Sequence, residues 1–141
     1  MVPNDHSALA SELDAAHSRA RASYRAKDLG GFMTLFAPGL RYKQPDGRTI
    51  GWDQLAHDVS AQFMTVDDAE TSYVRQSLEV DTEGATEVLE QTASLTTRRF
   101  WFFKRTLHLS RRGRYRWIRT TEGWKIGEVE VLNEIVRSGA A

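Results

Sequence analysis

The spacing of the apolar residues changes near Asp67-Asp68, and this change restricts the fold more than any other feature of the sequence. Before it, apolar residues recur at steps of three and four, which is the spacing of amphipathic helices. After it, they recur at every second position, as in strands with one buried face. A chain with helices first and strands afterwards is typical of the α+β class. Residues 1–141 contain no internal repeat or linker and are predicted to form a single domain.

The first half of the chain predicts three helices, with a small strand pair between the second and the third. Apolar residues at helical spacing predict a first helix that ends near Lys27. Asp28 can cap a second, shorter helix, which Pro38-Gly39 is expected to stop. A short strand is expected over residues 40–44, and the third helix follows Gly51.

The second half predicts an antiparallel meander that begins with one amphipathic strand. Alternation places Val74, Leu78 and Val80 together on the buried face of this strand. Tyr73 and Arg75 then belong to its opposite, polar face. The strand is therefore expected to contribute aliphatic side chains to the core and polar ones to the solvent.

The turns of the meander are less evenly marked. Turns are expected at residues 81–84 and 121–123, where a glycine follows polar residues. A single strand from residue 85 to residue 110 would be far longer than usual. A break is therefore expected between residues 96 and 104, although no glycine or proline marks it.

Basic residues are concentrated in this second half. The chain has 19 basic and 19 acidic residues, yet no Asp or Glu occurs between Glu90 and Glu122. Alternation in that interval places Tyr115 and Trp117 on the inner face and the even-numbered arginines on the outer face. A basic face can attract nucleic acid, but no phosphate-binding loop or nucleic-acid motif accompanies it, so nucleic acid is not the predicted partner.

Composition excludes several classes of site. The chain has no cysteine, which rules out disulfides, thiolate nucleophiles and cysteine-based zinc sites. Its four histidines show no metal-ligand spacing with a carboxylate, so neither a metal nor a cofactor is predicted. No apolar run approaches the ~18 residues of a membrane span. No secretory signal is recognised at the N-terminus, and the predicted location is the cytoplasm.

Four segments resemble, in order and spacing, parts of the nuclear-transport-factor-2-like superfamily, especially its SnoaL-like branch. They are residues 27–38 (KDLGGFMTLFAP), residues 42–47 (YKQPDG), the helix led by Gly51, and residues 116–126 (RWIRTTEGWKI). The resemblance implies a cone-shaped barrel, in which a curved antiparallel sheet wraps three N-terminal helices and leaves a pocket at the open end. This is the fold of ketosteroid isomerases and polyketide cyclases, and it also serves non-catalytic binding domains, so it does not select a reaction.

The resemblance also implies what is missing. Gln44 occupies the position of the general-base aspartate of ketosteroid isomerases, and Ala20 that of their oxyanion-donating tyrosine. Their second oxyanion donor aligns near Tyr115, which can still donate a hydrogen bond. Without a base opposite it, the isomerase machinery is incomplete. In this superfamily the outer sheet face is the usual dimer surface, which implies a homodimer.

His17, Tyr24 and Tyr115 are the candidates for proton transfer. His17 lies on the helical face expected to look into the cone, where it can act as a general base or donate a hydrogen bond. The alternative is a histidine that is merely packed at the edge of the helix. Carboxylates that could work with these groups, or simply pair with arginines, are Asp46, Glu90, Glu128 and Glu130.

A mostly apolar wall inside the cone is predicted to bind the ligand. Its members are Gln44, Trp52, Phe63, Trp117, Arg119, Val129, Val131 and Asn133. Arg119 falls at an inward position, and an unpaired buried charge is costly. It therefore requires either a partner such as Glu90 or a tyrosine, or an anionic ligand at the mouth of the pocket.

Three functions are compatible with the sequence. The first is a small-molecule-binding SnoaL-like domain with an apolar pocket and an apolar ligand. The second is a lyase, isomerase or cyclase that acts on an apolar cyclic substrate and uses His17 or a tyrosine as acid or base. The third is a protein-assembly module that binds through its sheet. A ligand-sized cavity in which His17, Tyr24 and Tyr115 converge would favour the second function, whereas a pocket without convergent polar groups would favour the third.

Overall fold

The computed structural model describes residues 6–100 and 103–139, without the side chains of residues 98–104. It confirms the α+β class: three helices in the described chain pack against a curved, cone-like sheet of six strands. The elements are α1 (Ser7–Arg25), α2 (Leu29–Met33), β1 (Phe36–Lys43), β2 (Thr49–Ile50), α3 (Trp52–Thr65), β3 (Val66–Val80), β4 (Gly84–Phe100), β5 (Phe103–Thr120) and β6 (Gly123–Gly139). The sheet order is β2-β1-β6-β5-β4-β3, with β1 and β6 parallel and the other pairs antiparallel.

The helices follow the predicted apolar spacing. Helix α1 buries Leu13, Ala16 and Ala20, which lie three and four residues apart and so share one face. Asp28 caps α2, since its side chain accepts a hydrogen bond from the Gly31 amide at 3.0 Å. No helix in the described part of the chain is long and apolar enough to cross a membrane.

The second helix is shorter than predicted. It ends at Met33, and the chain enters β1 at Phe36, so the expected stop at Pro38-Gly39 lies inside a strand. The pairing of β1 with β6 is irregular between Phe36 and Arg41. Proline lacks an amide hydrogen and is tolerated where the hydrogen-bond ladder is interrupted. The dipeptide therefore interrupts the pairing of a strand instead of ending a helix.

A β-bulge in β3 reverses the predicted faces of its first half. The register with β4 shifts between Arg75 and Ser77, so one extra residue lies on β3. Val74 is consequently 68% exposed on the outer face, while Tyr73 and Arg75 face inward. The assignment of Val74 to the buried face was wrong, because strict alternation does not continue through a bulge.

The break between β4 and β5 falls where it was predicted. β4 ends at Phe100 and β5 begins at Phe103, while residues 101–102 lie outside the described residues. The two strands pair from Gly84 opposite Ile118 to Phe100 opposite Phe103, which makes them unusually long.

The outer face of the sheet carries the predicted arginines, but many of them are neutralised within the chain. Arg114 forms an ion pair with Glu130 at 2.7 Å, and Arg116 does so with Asp81 at the same distance. Lys43 on β1 also approaches Glu130, at 3.6 Å. These three basic side chains of the outer face therefore have intramolecular partners.

Candidate functional site

The centre of the cone contains a fully buried carboxylate. Glu87 of β4 is 0% exposed, between Ala85 and Leu89 of the apolar core. One of its oxygens accepts hydrogen bonds from His17 Nε2 at 2.6 Å and from Trp117 Nε1 at 2.8 Å. The other accepts from Arg75 Nε at 3.0 Å. Together with two residues at its rim, this group is called the Glu87 cluster: Asp14, His17, Tyr73, Arg75, Glu87 and Trp117.

The hydrogen bonds set the protonation of the pair formed by Glu87 and His17. Burial alone would raise the pKa of Glu87, but the bonds from His17, Trp117 and Arg75 outweigh it and hold the pKa below its usual range. A carboxylate can only accept, so the proton between the two groups belongs to Nε2 of His17. In the neutral ring, Nδ1 then has a free lone pair. Among the described residues, no hydrogen bond to Nδ1 is formed.

The rim of the Glu87 cluster connects this buried pair to solvent. Asp14 of α1 is half exposed and accepts hydrogen bonds from Arg75 at 2.8 Å and from the Tyr73 hydroxyl. Burial opposes ionisation of Asp14, but Arg75 and Tyr73 together lower its pKa. Burial and the neighbouring carboxylate raise the pKa of Tyr73, which keeps its phenol protonated. A donor and a carboxylate thus lie at the surface end of the cluster.

Aromatic rings surround the imidazole of His17. The ring centroids of Tyr73, Trp117 and Tyr115 lie 4.8, 5.3 and 6.4 Å from it. The rings of Trp117 and Tyr115 meet it edge-on, at interplanar angles of 88° and 83°. These contacts restrict rotation of the imidazole and give its surroundings an apolar character.

Tyr115 also belongs to a second polar group farther along the inner face. Its hydroxyl donates to Gln91, and burial raises its pKa, so it remains a donor. Arg111 precedes Tyr115 by four residues on the same strand. It pairs with Glu134 at 2.6 Å and donates a hydrogen bond to the Tyr42 hydroxyl at 2.8 Å. Gly113 lies between them, where a Cβ would come within 2.9 Å of the Tyr115 ring. The glycine therefore allows Tyr115 to lie close to the sheet.

The structure brings two of the three predicted proton-transfer residues together. His17 and Tyr115 share the interior, as described above. Tyr24 lies apart from them: its hydroxyl donates to Gln62 at 2.8 Å, and its ring packs against Phe32 and Phe63. Tyr24 is therefore part of the contact between α1, α2 and α3.

The predicted ligand-wall residues fall into an inward group and a dispersed group. Trp117, Val129 and Val131 are buried on the inner face of the sheet. Trp52 and Phe63 of α3 are half-buried and pack against the same core. These five side chains lie in or against the hydrophobic core, as an inner wall requires.

The remaining wall residues do not join them. Gln44 lies at the turn after β1, where its side chain is 3.5 Å from Arg48. Arg119 is 68% exposed; it lies 3.7 Å from Glu12 and stacks over Trp124. Asn133 is exposed on the outer face, opposite Arg112. The prediction that Arg119 faces inward and needs Glu90, a tyrosine or an anionic ligand is therefore wrong, because its guanidinium lies largely in solvent.

Two cavities in the described part of the chain lie away from the predicted inner wall. A groove of about 620 Å³ crosses the outer face of the sheet, and a cavity of about 160 Å³ lies between α1, α2 and the start of β6. Neither is lined by His17 or Glu87. The described residues form no group of three or more acidic or histidine side chains that could hold a metal ion.

Asp14, Arg75 and Glu87 were not predicted as site residues from the sequence. Arg75 was assigned to the wrong face because the bulge was not visible, and Asp14 was not considered. The sequence around Glu87 leaves both faces open: alternation with Ala85 and Leu89 places it inside, and alternation with Val88 on the inner face places it outside. A carboxylate on an apolar strand face needs donors, and that requirement points to His17.

The lowered pKa values predict how stability depends on pH. A carboxyl whose pKa is lower in the folded than in the unfolded state stabilises the fold above its unfolded pKa, about 4, and loses that contribution as pH falls through the folded pKa. Glu87 and Asp14 both have this sign. We therefore expect the urea concentration at the unfolding midpoint to decrease as the pH is lowered below about 4. This decrease should be less steep in Glu87→Gln. Identical acid profiles for the two proteins would contradict an ionised Glu87.

Comparisons with known proteins identify the fold. No family model matches the chain, and no curated protein matches it. A nuclear transport factor 2-like protein from Salmonella enterica serovar Typhimurium has 19% identity and a TM-score of 0.73, covering 97% of this chain and 95% of that one. A putative scytalone dehydratase from Novosphingobium aromaticivorans has 9% identity and a TM-score of 0.80, with 95% and 89% covered.

A third solved structure is that of a type 2 hexachlorocyclohexane dehydrochlorinase. It has 9% identity and a TM-score of 0.71 and covers 94% of this chain and 91% of the other. Identities this low show a shared fold alone. The chain thus has the nuclear-transport-factor-2-like fold that the four sequence segments predicted.

Proposed function

We propose that the protein binds a small cyclic organic molecule at the opening of the Glu87 cluster and that His17 transfers a proton to or from it. One observation carries this proposal: His17 Nε2 lies 2.6 Å from a carboxylate that is completely buried and is also bound by Trp117 and Arg75. Perturbed titratable groups held by specific partners are typical of functional sites.

The pairing prepares His17 to act as a base. Glu87 accepts the Nε2 hydrogen and thereby leaves Nδ1 as the basic atom. When Nδ1 takes a proton, the resulting imidazolium is stabilised by the adjacent carboxylate, as in a catalytic triad. Glu87 does not itself contact the substrate in this scheme; it positions and stabilises His17.

The neighbouring tyrosines supply the other requirements of the reaction. Tyr73 and Tyr115 are protonated, and their ring centroids lie within 6.4 Å of that of His17. The Tyr73 hydroxyl now donates to Asp14 and the Tyr115 hydroxyl to Gln91. A polar substrate atom can take the place of either acceptor. The tyrosine rings provide apolar area for a cyclic ligand. A substrate enters from the half-exposed side near Asp14.

The reaction class that fits is removal of a proton from carbon, in a lyase or an isomerase. His17 takes the proton, and the C–H electron pair forms a new double bond. In a lyase a leaving group departs with its own electron pair, whereas in an isomerase the proton returns at another carbon. The names of two proteins with this fold, a dehydrochlorinase and a putative dehydratase, denote eliminations and support this choice.

The test uses 2-tetralone, a cyclic aromatic ketone, as the probe. Its α-protons exchange in D₂O when a base removes them, and proton NMR follows the exchange. We expect wild type to accelerate the exchange about 10²–10⁴-fold over His17→Gln. His17→Gln is suitable because the amide can still donate to Glu87 and keep the fold.

His57→Gln is the matched control, since His57 is exposed on α3. It should exchange 2-tetralone as wild type does. Equal rates in wild type and His17→Gln would overturn the catalytic proposal. Native mass spectrometry of the purified protein, read for a retained small molecule, then tests whether the site only binds.

A further inference from the structure

A small cavity between the helices and the last hairpin has no role in the proposed reaction. It has a volume of about 160 Å³ and is bounded by α1, by α2 and by the turn that leads into β6. It is called the Lys125 cavity after one of its lining residues, and its other charged lining residues are Arg19 and Glu122. Neither His17 nor Glu87 lines it, so what it binds does not depend on the proposed proton transfer.

Small residues leave room for the Lys125 cavity. Ala16 and Ala20 of α1 and Gly31 of α2 line it, and none of them has a side chain beyond Cβ. A water molecule takes up about 30 Å³ in the liquid, so the cavity has room for about five groups of that size. One phosphate or sulfate ion fits this space, whereas pockets for drug-sized cyclic molecules usually exceed about 300 Å³.

Lys125 is shielded from solvent, but its charge is only weakly compensated. Its side chain is 14% exposed, although a lysine usually keeps its ammonium group in water. Among the described residues its ion-pair partner is Glu122, at 3.5 Å. Glu122 is 77% exposed, and ion pairs with so exposed a partner contribute little. An ammonium group has three N–H donors, so Lys125 can bind a further acceptor inside the cavity.

Arg19 brings a second positive charge to the same space. It belongs to α1, whereas Lys125 belongs to β6, so the two basic side chains reach the cavity from different elements. With the residues that the structure describes, Arg19 forms no ion pair or hydrogen bond. Even with the carboxylate of Glu122 counted, the lining keeps a net positive charge. The cavity therefore provides donors on two sides and an excess of positive charge.

We infer that the Lys125 cavity binds a small tetrahedral oxyanion, with the chemistry of free phosphate or of the phosphate end of an ester. Lys125 and Arg19 donate to its oxygens, and hydrogen bonds between charged partners are among the strongest in proteins. Glu122 turns away from Lys125 on binding, which its exposure to solvent allows. The bound ion then links α1 to β6, so it also stabilises the folded chain.

The charges of the lining select an oxyanion over other small ligands. A cation would lie beside Lys125 and Arg19, and like charges at close range repel. An apolar ligand would displace water from the ammonium group of Lys125 without offering it an acceptor, which is costly. Phosphate carries up to two negative charges and four oxygens, enough to accept from both basic side chains at once.

The test titrates inorganic phosphate into the protein by isothermal titration calorimetry, at an ionic strength held constant with sodium chloride. Wild type should bind with a dissociation constant below about 1 mM. Arg19→Gln and Lys125→Met should each weaken binding at least about tenfold, because each removes a charged donor. Arg19 is exposed, so its substitution leaves the fold intact. Glu122→Gln should instead strengthen binding, since it removes the carboxylate that competes for Lys125.

Arg25→Gln is the matched control, since Arg25 is also an exposed arginine of α1 but does not line the cavity. It should bind phosphate as wild type does. Phenyl phosphate is the second probe: if it binds as phosphate does, the site accepts esters, and if only phosphate binds, the site is for the free ion. A wild type that does not bind phosphate would overturn the inference. Equal affinities of Arg19→Gln and Arg25→Gln would overturn it too, because only net charge would then matter.

Discussion

Glu87→Gln should lower the free energy of unfolding by about 3–5 kcal/mol, the usual cost of removing one partner from a buried ion pair. The amide oxygen can still accept from His17 and Trp117. The amide nitrogen, however, would be turned toward Arg75, so that two donors face each other without an acceptor. Urea unfolding followed by tryptophan fluorescence measures the change.

Glu79→Gln is the control for this substitution, because Glu79 is an exposed glutamate of β3. Its unfolding free energy should stay within about 0.5 kcal/mol of wild type. If Glu87→Gln were equally harmless, the buried carboxyl would not be holding a charge. The scheme in which it orients His17 would then fail as well.

Trp117→Ala should cost about 3–5 kcal/mol, since it removes a large aromatic side chain from a closely packed interior. Trp117 is 0% exposed, and its ring centroid is 5.3 Å from that of His17. The substitution should also release one face of the imidazole. Retained thermal stability in this variant would mean that β5 has been placed one residue out of register.

Trp117→Phe separates packing from hydrogen bonding. The phenyl ring fills most of the space, but Glu87 loses the donor that lies 2.8 Å away. We expect a smaller loss than for alanine, about 1–2 kcal/mol. An equal loss in the two variants would show that the indole hydrogen bond, and not the ring, carries the contribution.

The fold could be predicted because its helices and strands differ in apolar period and because short motifs mark most of its turns. The details that were wrong depend on pairing between distant segments. Whether Phe36 continues a helix or starts a strand is decided by Ile126, its partner on β6. Whether Val74 or Tyr73 faces inward is decided by the bulge after Arg75. The residues next to Phe36 and Val74 in the sequence show neither the pairing with β6 nor the bulge.

Two residues of the Glu87 cluster, His17 and Trp117, were predicted to face inward, the first from helix spacing and the second from strand alternation. His17 lies four residues after Leu13, so its inward position follows from the turn of the helix. Glu87 was harder to identify, because Val88 and Leu89 are adjacent apolar residues and alternation alone does not say which one is inside. A charged side chain is expected on the outer face of a sheet. The inner position of Glu87 is favourable because His17, Arg75 and Trp117 donate hydrogen bonds to its carboxylate.

The parallel pairing of β1 with β6 determines the order in which this protein can fold. Tyr42 lies beside Val129, and until the last strand is made the first strand pairs with the two-residue β2 alone among the described strands. During synthesis, α1, α2 and β1 leave the ribosome long before β6 exists, so the apolar side chains that pack against Ile126 and Val129 stay uncovered until then. Contacts so distant in sequence slow folding. Part of the core surface therefore stays exposed until the final strand is released, which increases the risk of aggregation of the unfinished chain.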